Sequence, residues 1–225
     1  MSEIPQKIVI DDKFFYIKMV NDCLDKNENN KVAITNPRND IVKISNIKTV
    51  AGDLYLYKND FCHINIKELD YSIEIQSGFN KINQFLKDKI GISECLLDVY
   101  NTKYTPVWKW IIIATSEAVS KDHVDMYKTA SWNLLTQGRK VWKFREKNSA
   151  EVLYSFLQDP GDLIWIPEGW RHEVEYLEDS TCISQNLFLE RSRNITEKEI
   201  INNGCLIDKQ TIQAIRIIEN NYEGE

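Results

Sequence analysis

The segment Lys121-Asp122-His123-Val124-Asp125 sets an imidazole and a carboxylate two residues apart. In an extended chain residues i and i+2 point to the same face, so His123 and Asp125 can both reach one ion while Val124 turns away. The alternative is a surface loop, since a His-x-Asp triplet is a common accident. Only three histidines occur, His63, His123 and His172, so the setting of each is informative. His172 follows a Pro160-Gly161 turn, the run Asp162 to Ile166 and a second turn through Pro167 and Gly169, and so opens a new strand. Two imidazoles and one carboxylate are the donor set that holds a non-haem Fe(II) on one face and leaves its other positions open.

A second group lies in the hairpin after His123. Trp132 to Thr136 reads as a strand, Gln137-Gly138-Arg139 as the turn and Lys140 to Phe144 as the return. On the return strand Lys140, Trp142 and Phe144 share one face, and Arg139, Val141, Lys143 and Arg145 the other. A lysine in phase with two aromatics is costly to bury unless an anion meets it. The alternative is that its ammonium snorkels to solvent. Further on, Ser184 and Asn186 share one strand face, with Ile183, Gln185 and Leu187 opposite.

The elements that must position these groups are mostly short segments rich in β-branched and aromatic residues. They are Leu54 to Tyr57, Tyr71 to Ile75, Cys95 to Tyr100, Trp108 to Ala114, Trp132 to Thr136, Lys140 to Phe144, Asp162 to Ile166, His172 to Leu177 and Thr181 to Leu189. Bounded by turn residues, they predict a sandwich or barrel. Phe79 to Ile90 carries apolar residues at helical spacing, and Ile195 to Asn220 reads as two helices broken near Asn203-Gly204. The 225 residues show no repeat and no Pro/Gly/Ser-rich linker, which predicts a single domain over residues 1–225, with its barrel at about 95–190 and helices at about 195–220.

Composition excludes several classes. Hydrophobic residues at 43% and charged residues at 28% exclude a wholly disordered chain. Five scattered cysteines without a C-x-x-C pair argue against a disulfide framework or zinc ribbon. Apolar runs such as Ile111 to Ala114 fall far short of the roughly 20 residues of a membrane helix, and the N-terminal residues lack the order of a signal peptide. These features predict a soluble, intracellular protein, cytoplasmic or nuclear. The formal charge of −6 argues against broad phosphate-backbone binding.

The two blocks HVDMYKTASWNLLTQGRKVWKF and PGDLIWIPEGWRHEVEYLEDSTCISQNLF resemble the Jumonji-C branch of the cupin superfamily, the Fe(II)- and 2-oxoglutarate-dependent oxygenases. They are similar in particular to the small hydroxylases typified by the Jumonji lysyl hydroxylase. The resemblance covers Trp108 to about Leu189. It implies a double-stranded β-helix with flanking helices and a metal held by His123, Asp125 and His172. It also implies C–H hydroxylation with 2-oxoglutarate and O2, most readily on a protein side chain. By the same resemblance Lys140 pairs the distal carboxylate of 2-oxoglutarate, and Asn133, Ser184, Asn186 and Ser120 line the co-substrate site. A co-substrate tyrosine has no counterpart in Ser72 to Phe79, and Ala114 to Ser120 departs from the usual small-residue loop. Two other readings stay open: the same chemistry on an RNA nucleoside or a free small molecule, and a cupin-like binding protein without catalysis.

Other features carry blander expectations. Cys62-His63 lacks a second pair and reads as a packed or surface histidine rather than zinc ligands. Trp110, Trp132, Trp142, Trp165 and Trp170 read as core, with Trp170 and Arg171 also at the substrate mouth. Asp122, Glu168 and Glu173 predict an acidic mouth suited to a cationic or neutral polypeptide segment, whereas Arg139, Lys143 and Arg145 form a small basic strand face. The isoleucine-rich C-terminal segment predicts a homodimer.

Overall fold

A computed structural model describes residues 4–26, 41–49, 52–57, 59–66, 73–92, 108–125, 129–146, 148–187 and 189. The elements run β1 (Gln6–Val9), α1 (Lys13–Lys26), β2 (Ile41–Thr49), β3 (Gly52–Tyr57), β4 (Phe61–Asn65), α2 (Ile73–Ile90), β5 (Lys109–Ala114), β6 (Val119–Val124), β7 (Ala130–Gln137), β8 (Lys140–Arg145), β9 (Tyr154–Gln158), β10 (Asp162–Ile166), β11 (Arg171–Tyr176) and β12 (Ser180–Leu187). A six-stranded sheet has the order β1-β10-β7-β12-β5-β4, and a four-stranded sheet the order β6-β11-β8-β9. From β5 onward the chain passes back and forth between the two antiparallel sheets, which is the double-stranded β-helix expected from the sequence. Strands β2 and β3 pair separately.

Local chemistry sets the corners. Gly161 has φ 94°, and the Asp162 N–H donates to the Asp159 carbonyl at 2.9 Å, closing the Pro160-Gly161 turn before β10. Gly138 has φ 85° between β7 and β8, and a Cβ there would lie 2.3 Å from the Asp179 carbonyl oxygen. Only glycine fits that corner.

The large sheet is covered on its outer face by the helices. Ile75, Phe79, Ile82 and Leu86 of α2 and Tyr16, Met19, Val20, Cys23 and Leu24 of α1 are buried against Ile111, Ile113, Trp132, Leu134, Leu163, Trp165 and Ile183. Between the sheets, Ala114, Ile164 and Ile166 meet Trp142, Phe144, Val174 and Tyr176.

The structure corrects one predicted element. Tyr71 to Ile75 reads as a strand, but Ile73 already begins α2. The alternation of Tyr71, Ile73 and Ile75 resembles a strand, while burial of Ile75 in phase with Phe79, Ile82 and Leu86 settles it as helix. Helix α1 and strands β1, β2, β4, β6 and β9 have no counterpart among the segments read as elements from the sequence. The predicted strand Cys95 to Tyr100, the C-terminal helices and the dimer contact assigned to them lie outside the described residues.

Candidate active site

His123 near the end of β6 and His172 near the start of β11 are direct partners across the antiparallel pair, and Asp125 follows β6 by one residue. The pairing brings residues distant in sequence together. Both His123 Nε2 and His172 Nε2 lie 3.7 Å from Asp125 Oδ1. The three donor atoms fall within 4.8 Å of one another. Each imidazole is oriented from behind: His123 Nδ1 meets the Lys121 carbonyl at 2.7 Å and His172 Nδ1 the Trp170 carbonyl at 3.2 Å. With Nδ1–H donating to a carbonyl, Nε2 keeps its lone pair for an ion. Ser131 on β7 donates its hydroxyl to Asp125 Oδ2, a supporting contact that the sequence did not suggest.

His172 is buried against Trp142 and Phe144, and His123 is open to solvent. Burial pushes the pKa of His172 below the ordinary imidazole value, against the pull of the Asp125 carboxylate. A neutral imidazole is the form that ligates a cation.

The cavity beside the triad holds about 290 Å³ and is walled by both sheets. Asn133, Ser184, Asn186 and Ser120 all line it. Asn133 and Ser184 are direct cross-strand partners. The Ser184 hydroxyl donates to the Trp132 carbonyl at 2.7 Å, and the Asn186 amide donates to Thr129 Oγ1 at 3.1 Å. Ser120 and His123 are an odd number of residues apart, so a regular strand would turn them to opposite faces. A β-bulge resolves this: His172 pairs with His123 and Val174 with Ser120, leaving Lys121 and Asp122 together opposite Glu173.

Lys140 is fully buried, which excludes the snorkelling alternative. Its ammonium donates to Asn133 Oδ1 at 2.8 Å and Cys182 Sγ at 3.2 Å, and lies 5.1 Å from the Trp142 ring and 5.2 Å from the Tyr176 ring. Burial lowers its pKa. Among the described residues no carboxylate forms an ion pair with it, so a buried cation stands one residue behind the cavity wall. Tyr176 and His63 also line the cavity, and neither was singled out for it from the sequence. His63 sits between Phe61 and Trp110, with ring centroids 5.5 Å and 6.0 Å away. Crowding by the walls pushes its pKa down to about 4, countered by Asp125 and reinforced by Lys140 and His123.

The outer face of the small sheet corrects the expectation of an acidic mouth. Asp122 pairs with Arg171 and, at 3.6 Å, with Arg145. Glu173 pairs with Arg145 at 3.7 Å and Lys143 at 3.3 Å, and Lys143 also pairs with Glu175. Arg139 meets Asp159 at 2.7 Å. Asp122 and Glu173 thus join Lys143, Arg145 and Arg171 in one ladder whose charges largely cancel, and Arg139 is paired apart from it. Trp170 packs edge-on against Tyr154 at 5.6 Å.

No family model matches the chain. It is 25% identical to the arginine-specific demethylase JMJ20 of Arabidopsis thaliana, over 28% of this chain and 20% of that protein. Identity to the arginine-specific demethylase JMJ22 of the same plant is 26%, over 43% of this chain and 26% of that protein. To the 2-oxoglutarate and iron-dependent oxygenase JMJD4 of Mus musculus it is 23%, over 28% of this chain and 22% of that protein. The chain therefore spans only about a fifth to a quarter of the length of these relatives. A solved structure of YcfD, a ribosomal oxygenase from Escherichia coli in complex with cobalt and succinic acid, aligns over 97% of this chain and 62% of that one, at 12% identity and a TM-score of 0.46. The chain thus joins partial sequence similarity to these demethylases and 2-oxoglutarate and iron-dependent oxygenases with the two facing antiparallel sheets of a double-stranded β-helix and a His-Asp-His cluster at the cavity between them.

Proposed function

We propose that this chain is an Fe(II)- and 2-oxoglutarate-dependent dioxygenase that hydroxylates a C–H bond, with a protein side chain as its substrate class. The observation that carries the reading is the convergence, on one cavity, of the His123-Asp125-His172 donors with the Asn133, Ser184 and Asn186 wall and the buried ammonium of Lys140 behind it. The donor set fits Fe(II), because two imidazoles and a carboxylate on one face leave room for further ligands. Lys140 fits the co-substrate, because a buried cation without a carboxylate partner is stabilised by an incoming anion.

Bound there, the iron and 2-oxoglutarate supply the O2-dependent oxidising chemistry. The chain's own residues orient and exclude. Lys121 and Trp170 carbonyls hold the imidazole tautomers, and Ser131 holds Asp125. Lys140 and Asn133 mark the end that receives the distal carboxylate, and Trp142, Ile166 and Val174 keep the inner wall apolar. His123 marks the side from which substrate arrives, since it is the exposed ligand.

A protein substrate is supported by the relatives whose names specify arginine demethylation. The charge ladder favours neither a cationic nor an anionic partner. The intact donor set weighs against the non-catalytic reading. The direct test is succinate formation from 2-oxoglutarate with Fe(II) and O2, followed by a mass-spectrometric search of lysate polypeptides for products heavier by one oxygen atom. Absence of metal-dependent 2-oxoglutarate binding would overturn the proposal, and a hydroxylated nucleoside would move it to nucleic acid.

A further inference from the structure

We propose that Asp122 is a positioning residue for the metal triad, holding the bulge of β6 that keeps His123 in register with His172. The inference rests on the metal-centre reading above. A one-residue slip of β6 would carry His123 to the outer face of the small sheet, away from Asp125 and His172. Register at this point therefore decides whether the triad exists.

Both bulged residues make a fixing contact. The Lys121 carbonyl receives His123 Nδ1 from one side. On the other side the Asp122 carboxylate takes Arg171 through Oδ2 and faces Arg145 Nη1 through Oδ1 at 3.6 Å. Arg171 immediately precedes His172, and it lies directly opposite Arg145 across the β11–β8 pair. Two guanidiniums facing each other on a sheet repel, and Asp122 is the anion set against both. Asp122 Oδ1 and Arg145 Nη1 are buried without a hydrogen-bond partner, so the attraction between them is only weakly screened by water. Arg171 also donates to the Ser149 carbonyl at 3.1 Å, which ties the same point to the segment before β9. Asp122 thus spans three strands at the position where the ladder carries an extra residue.

The test uses Mn(II) as the probe and the full chain, with free Mn(II) followed by electron paramagnetic resonance. Asp122→Asn should weaken Mn(II) binding about 10- to 100-fold, the range expected for losing a group that orients a ligand. Amide hydrogen exchange of β6 in the metal-free chain should accelerate in parallel. Lys143→Gln, at the far end of the same ladder, should leave both unchanged, and Asp122→Glu should restore part of the affinity. The double variant Asp122→Asn/Arg171→Gln removes the exposed charge conflict and preserves folding, and it should still bind Mn(II) weakly. Wild-type affinity in a folded Asp122→Asn or double variant would overturn the inference alone, whereas wild-type protein that does not bind Mn(II) would overturn the metal reading with it.

Discussion

The two sheets of the barrel solve different problems. Strands β7, β10 and β12 of the large sheet are buried along nearly their whole length, because helices cover one face and the barrel interior the other. Strands β8 and β11 of the small sheet alternate strictly between buried and partly exposed residues. The large sheet therefore carries the apolar core on its outer face and presents Asn133 and Ser184 inward. The small sheet points His123, His172 and Lys140 inward and its ion pairs outward. Stability and chemistry are separated by strand face, so substitutions on the two should fail in different ways.

The largest effect is expected at the small sheet's ligands. His172→Ala and Asp125→Ala should each abolish 2-oxoglutarate turnover and metal binding while the chain still folds, as read by succinate release, Mn(II) binding and circular dichroism. Full turnover in Asp125→Ala would end the triad assignment. The opposite failure is expected on the large sheet. Trp132 is fully buried, packs on Phe79 at 5.2 Å and donates its indole N–H to Asn83 Oδ1 at 2.9 Å. Trp132→Ala should cost about 3–5 kcal/mol in urea unfolding, with metal affinity of the folded fraction retained.

Lys140 lies between these extremes. Lys140→Met keeps most of the volume and deletes the charge, so affinity for 2-oxoglutarate should fall by about 1.5–3 kcal/mol, roughly 10- to 150-fold, with little change in metal binding. Isothermal titration of 2-oxoglutarate into the Mn(II) form reads this directly, and unchanged affinity would remove Lys140 from the co-substrate site.

The smallest effect concerns His63. Its pKa is about 4 in the folded chain and about 6.5 when unfolded. Between those values the unfolded chain holds a proton that the folded chain does not, so stability rises with pH across this window and is eroded by acidification. His63→Gln in the metal-free chain should flatten the dependence of Tm on pH between about 4 and 6.5. The change should be modest, because His63 is exposed to solvent. An identical pH profile in the variant would mean that the ring is fully hydrated.

Much of this was legible in the sequence because it depends on neighbours along the chain. Period-two alternation placed Lys140, Trp142 and Phe144 on one face and Ser184 with Asn186 on another, and steric limits at Pro160-Gly161 marked the turn before β10. The donor types of His123, Asp125 and His172 named a metal site before any distance was known. Tertiary structure decided what depends on pairing between distant strands. The bulge opposite Glu173 turns Ser120 inward, and no local pattern specifies how many residues of β6 face one residue of β11. The ladder from Asp122 to Glu175 cancels charges that look like separate acidic and basic patches along the chain, because cross-strand spacing rather than sequence spacing sets Coulomb energy. His63 and Tyr176 reach the cavity only because β4 and β11 close its walls, and Ile73 begins a helix because burial of Ile75 in phase with Phe79 outweighs a strand-like local alternation.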